Sequence, residues 1–116
     1  MEYEEAFLFS LFLTVLTETP VVFLIMRYLY KDKVIKTSKV VAVSFLASAL
    51  TLPYLWFVLP RFIPDWNIYF ILGESLVIVI ESLVYFHLFR LKPLNAFILS
   101  LLANAVSMSL GLFIKL

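Results

Sequence analysis

Four long apolar runs, at residues 6–30, 37–59, 68–89 and 94–114, leave this chain few ways to fold. A helix that crosses a bilayer needs about 20 mostly apolar residues, because roughly 30 Å of hydrocarbon is traversed at about 1.5 Å per residue. Each run meets that length, and charges, prolines or interfacial aromatics bound each one. Barrel strands would alternate apolar and polar residues, and these runs do not. With 64% of 116 residues hydrophobic and only 15% charged, a water-soluble core is not an option. The expected fold is an all-α membrane protein with four transmembrane helices in a single domain spanning residues 1–116.

The acidic start Met1-Glu-Tyr-Glu-Glu lacks the basic opening of a secretory signal, so the first helix is expected to stay in the mature protein. Basic residues then orient the chain. Arg27, Lys31, Lys33, Lys36 and Lys39 surround the first connector, and Arg90 and Lys92 the third. Loops 31–36 and 90–93 are therefore expected on the cytoplasmic side of the cell membrane, with both termini outside. The middle connector carries one basic residue, Arg61, and the nearby Trp56, Trp66 and Tyr69 read as an outer interfacial belt. A net charge of +1 with no basic cluster on a folded face gives no nucleic-acid footprint. Without cysteine there is no thiol chemistry, and His87 stands six residues from Glu81, so no metal or cofactor is expected.

The halves of the chain resemble each other. Glu18-Thr-Pro-Val-Val-Phe-Leu-Ile-Met-Arg27 aligns without gaps on Glu81-Ser-Leu-Val-Tyr-Phe-His-Leu-Phe-Arg90. In the helix that follows, Ser44, Ala47, Ser48, Ala49 and Thr51 fall on Ser100, Ala103, Asn104, Ala105 and Ser107. This pattern predicts two tandem helical hairpins, repeat one at 6–59 and repeat two at 68–114, running in the same direction.

Glu18 and Glu81 each precede a cytoplasmic-boundary arginine by nine positions, about 13 Å of helix, which puts both carboxyls near the bilayer midplane. Ser48 and Asn104 count to the same depth. Ser44, Ser48 and Thr51 form one stripe of the second helix, and Ser100, Asn104, Ser107 and Gly111 one stripe of the fourth. Such small-residue stripes let helices approach closely in lipid. In the third helix Glu74, Ile78, Glu81 and Tyr85 share a face, and in the first Ser10, Thr14 and Thr17 or Glu18 do so. Acids at this depth are costly unless they face protein or water, and they commonly mark a pathway or a relay. The expected substrate- or ion-binding set is Glu18, Glu81, Glu74, Ser48, Thr51, Asn104 and Ser107. Arg27 and Arg90 are expected to reach lipid phosphates at the interface. Pro20 and Pro53 each leave a carbonyl without its helical donor beside this layer.

The segment Glu74-Ser-Leu-Val-Ile-Val-Ile-Glu81, with Ser48-Ala-Leu-Thr51-Leu-Pro53 in the preceding helix, resembles a group of small uncharacterised prokaryotic membrane proteins. That group carries Glu-x-x-Val-x-x-x-Glu and Asn-x-x-Thr-Asn-Pro patterns, and Ser48 and Leu52 stand here where it has asparagine. In size, and in a mid-membrane acid in the first helix, the chain is also similar to the small multidrug resistance transporters. The sequence favours a small transporter or ion-conducting protein, working as a homo-oligomer or within a larger complex, whose glutamates bind a proton, a cation or a cationic substrate. The alternative is a non-catalytic subunit or assembly factor of such a complex. No nucleophile and base pair of a familiar enzyme is present, so no enzymatic activity is expected.

Overall fold

A computed structural model describes residues 2–31 and 34–114, with side chains described up to residue 110. Four helices long and apolar enough to cross a membrane account for nearly all of it: α1 Tyr3–Leu29, α2 Thr37–Phe62, α3 Trp66–Phe89 and α4 Pro93–Ile114. Among the described residues there is no strand. The helices alternate in direction, and each packs on two others around a ring, α1 on α2 and α4, and α3 on α2 and α4. One end of the bundle carries the start of α1, the α2–α3 connector and the last described turns of α4. The other carries the α1–α2 and α3–α4 loops.

Two helices depart from the expected bounds for local reasons. α3 starts at Trp66 rather than 68, because the Asp65 carboxylate caps it, accepting from the backbone N–H groups of Asn67 at 2.9 Å and Ile68 at 3.2 Å. α2 runs on to Phe62 instead of stopping at 59. Pro60 falls in the first turn of its last segment, Leu59–Phe62, where a missing N–H is harmless. The residues between Pro53 and that segment, Tyr54–Val58, form a π turn that absorbs the disruption.

Pro60 has no N–H to offer the carbonyls of Leu55 and Trp56, and two tyrosines supply donors instead. The Tyr3 hydroxyl donates to the Trp56 carbonyl and the Tyr69 hydroxyl to that of Leu55. α1 and α3 are thereby tied to the irregular end of α2. Tyr69→Phe is expected to lower stability by about 1 kcal/mol, measurable as a lower unfolding midpoint in detergent.

Burial is arranged inside out. Phe12, Leu16, Leu24, Phe45, Ile71, Leu83 and Leu101 are exposed on the outer surface, whereas Thr14, Glu18, Ser44, Ser48, Thr51, Glu81, Ser100 and Asn104 are buried between the helices. A soluble protein cannot keep so large an apolar surface in water, whereas acyl chains cover it at no cost. The half of the bundle nearer the two loops has a dry core of Val22, Met26, Val40, Val43, Ala47, Tyr85, Phe89, Ala96, Leu99 and Ala103. At that end α3 stops on Arg90, whose φ of 55° lies in the left-handed region. Glycine has no such steric cost, so Arg90→Gly is expected to stabilise the protein by up to about 1 kcal/mol, read as a raised midpoint in the same assay.

Candidate functional site

On α1 the buried positions are Thr14, Glu18, Val22 and Met26, and on α3 they are Gly73, Val77, Glu81, Tyr85 and Phe89. Both are stripes of period four, so each helix turns one narrow face inward and the two glutamates arrive at the same level. Glu18 is 1% exposed and Glu81 is 0% exposed. Their carboxyls are close enough to interact directly.

Glu81 is fully engaged. Its Oε2 accepts from Thr51 Oγ1 on α2 at 2.9 Å, and its Oε1 accepts from Asn104 Nδ2 on α4 at 2.9 Å. Asn104 is itself held, its second amide hydrogen going to the Ser100 carbonyl at 2.8 Å, and Ser100 Oγ in turn donates to the Ile78 carbonyl at 2.8 Å. Thr51 Oγ1 also lies 2.9 Å from the Ala47 carbonyl. Its single hydrogen serves either the carbonyl or the carboxyl, so Thr51 accommodates Glu81 both as an acid, which donates, and as a carboxylate, which accepts.

Glu18 is held more loosely. Ser107 on α4 stands beside its carboxyl, and Glu18 Oε1 has no hydrogen-bond partner. Beside it, Thr19 Oγ1 donates to Ser44 Oγ at 3.1 Å and fixes the register of α1 on α2. Among the described residues no basic side chain partners either glutamate.

A cavity of about 620 Å³ opens at the end of the bundle bearing the α2–α3 connector and descends to this layer. Its mouth is aromatic, with Tyr3, Trp56, Trp66 and Tyr69; Thr14, Thr17 and Glu74 line its wall; Glu18, Asn104 and Ser107 lie at its inner end. Glu74 shares the face of Glu81 seven positions away and is half-buried because it borders this space. Glu81, Ser48 and Thr51 sit behind the floor rather than in the lining. Beyond the floor the dry core closes the bundle, with Tyr85 stacked on Phe89 at 5.7 Å between ring centroids.

Of the expected set, Glu18, Glu81, Ser48, Thr51, Asn104 and Ser107 converge on one layer, and Glu74 stands about 10 Å of helix nearer the mouth. The surroundings of Gly111 fall outside the described side chains. The Arg27 guanidinium lies over the Phe23 ring at 5.5 Å and donates to the Ile35 carbonyl, fastening the first loop. Arg90 is exposed at the loop end of α3. One contribution escaped the sequence reading: Tyr3 precedes the expected start of the first helix at residue 6, yet it lies in α1 and lines the mouth. Tyr85, expected on the face of Glu81, lies buried one turn past it, beneath the carboxyls.

No protein-family model, curated protein or solved structure matches this chain.

Proposed function

We propose that this chain is a small integral membrane transporter or ion-conducting protein, in which mid-membrane glutamates bind a proton, a cation or a cationic substrate. The observation that carries the reading is the one-ended cavity: an aromatic mouth, an acid on the wall at Glu74, and at the inner end Glu18 against Glu81, with a dry seal beyond. Two adjoining acids in hydrocarbon, without a basic partner, call for positive charge from elsewhere. Among the described residues the cavity opens at one end of the bundle and gives that charge a route to Glu18.

The arrangement of two tandem hairpins, 6–59 and 68–114, belongs to the same proposal. Shifting by 63 positions carries the buried residues Thr14, Glu18, Val22 and Met26 onto Val77, Glu81, Tyr85 and Phe89, which are buried as well. Shifting by 56 carries Val40, Val43, Ser44, Ala47 and Ser48 onto Ala96, Leu99, Ser100, Ala103 and Asn104, again all buried. Thr51 on Glu81 and Ser107 near Glu18 are matching contacts across the two junctions between halves. Related halves around a central layer are how many secondary transporters are built. The basic loops 31–36 and 90–93 then face the cytoplasm, and the cavity mouth and both termini face outside the cell membrane.

The test is reconstitution into liposomes carrying a proton or cation gradient. Dissipation faster than in protein-free liposomes is the expected result, and no difference for protons, sodium, potassium or small organic cations rejects the carrier reading. The second reading, a subunit of a larger membrane complex, draws on the apolar groove between α1 and α4 lined by Val21, Ile25, Leu102 and Val106. A stoichiometric partner retained through mild-detergent purification favours it.

A further inference from the structure

Three side-chain atoms near the centre of the bundle are buried and have no hydrogen-bond partner by geometry: Glu18 Oε1, Ser48 Oγ and Tyr85 Oη. Buried polar atoms are nearly always paired, so three together need a cause. They come from three different helices and reach one level. The Thr19–Ser44 hydrogen bond sets those two residues side by side on antiparallel helices. A helical side chain leans toward the N-terminus of its own helix, so the Glu18 carboxyl rises from the Thr19 level toward the cavity end. Ser48 lies one turn beyond Ser44 in that same direction. Tyr85, one turn below Glu81 on α3, leans the same way; Ser44 stands near its hydroxyl without meeting hydrogen-bond geometry, and both carboxyls are close enough to act on it electrostatically.

The second half of the chain supplies a comparison. Asn104 occupies the position matched to Ser48, and its carboxamide fills the space between α4 and Glu81, bonding that carboxyl at 2.9 Å. Ser48 carries only a hydroxyl where Asn104 carries a carboxamide, and neither Glu18 Oε1 nor the Ser48 hydroxyl has a hydrogen-bond partner. A proton shared between Glu18 and Glu81 removes one of the two negative charges but does not engage the Ser48 and Tyr85 hydroxyls. A water molecule engages the hydroxyls but brings no charge. A small cation does both. All three groups offer oxygen lone pairs, which suits a hard ion, and only one carboxyl is uncommitted, too few for calcium, which gathers several. No group of three or more His, Cys, Asp or Glu side chains forms among the described residues, so a transition-metal cage is not available either.

We propose that Glu18, Ser48 and Tyr85 form a binding site for a monovalent cation of sodium's size, set just behind the inner end of the cavity. The proposal rests on the transporter reading and names its ion.

The test compares unfolding midpoints of the purified protein in sodium, potassium and N-methyl-D-glucamine chlorides at equal ionic strength, together with direct binding of radioactive sodium. Sodium is expected to raise the midpoint by several degrees over the other two and to bind at one ion per chain. Tyr85→Phe is expected to weaken sodium binding at least tenfold. Ser48→Asn, which supplies the missing carboxamide, is expected to abolish the sodium response while its midpoint in sodium-free medium equals or exceeds that of the wild type. Equal midpoints in all three salts overturn the site, as does a full sodium response in both variants. Cation flux that is the same with sodium and without it also overturns the site while sparing the carrier reading. Specific sodium binding without flux of any ion does the reverse.

Discussion

Glu18→Gln is expected to lower flux through reconstituted protein at least tenfold while leaving the unfolding midpoint within a few degrees of wild type. Glutamine preserves the size of the side chain, so packing at this buried position survives. It cannot hold a proton at the same atom or neutralise a cation. Because Glu18 belongs to the cavity lining and Glu81 does not, the matching substitution Glu81→Gln is expected to be milder in flux. A glutamine at 81 accepts from Asn104 through its carbonyl and donates to Thr51, whose hydrogen then turns to the Ala47 carbonyl. Wild-type flux in the Glu18 variant, with the protein correctly inserted, contradicts the role given to this acid.

The second large effect is on stability. Thr51→Val together with Asn104→Leu removes both donors from Glu81, leaving a fully buried carboxyl with no hydrogen bond from its neighbouring helices. A loss on the order of 3 kcal/mol is expected, because stranding a buried polar or charged group costs more than the net value of the bonds removed. Adding Glu81→Leu to that double variant is expected to restore most of the loss, since a side chain without polar atoms no longer needs the donors. That sign reversal, a third substitution stabilising what two had weakened, is the signature of a coupled network. Reversible unfolding in mixed micelles measures it. Simple additivity of the three changes contradicts the network.

Much of this arrangement could be read from residue order alone. Four apolar runs give four helices by length, and the nine-residue spacing from Glu18 to Arg27 and from Glu81 to Arg90 gives the acids a common depth. Their inward direction follows from the cost of an acid in hydrocarbon. Helix ends were read less well, because Pro60 looked like a terminator and its π turn with tyrosine donors depends on contacts from α1 and α3. The different standing of the two glutamates was also hidden. Ser48 and Asn104 are both small polar residues in a linear reading, and only packing reveals that one reaches its neighbouring acid and the other falls short. Arg27 was assigned to lipid from its position at a helix end, and its bond to the loop carbonyl of Ile35, eight residues on, could not be read from that position.

The chain contains no cysteine, so single cysteines report position without background. Thr14→Cys and Ser107→Cys in the cavity, and Met26→Cys and Val40→Cys in the dry core, can each be exposed in oriented vesicles to a membrane-impermeant thiol reagent added from one side at a time. Labelling of the first two from the side bearing the α2–α3 connector alone, and of the last two from neither side, is the predicted result. Labelling of the cavity positions from the side of the 31–36 and 90–93 loops, or no labelling of them at all, contradicts a route that leads from one face of the membrane to the paired acids.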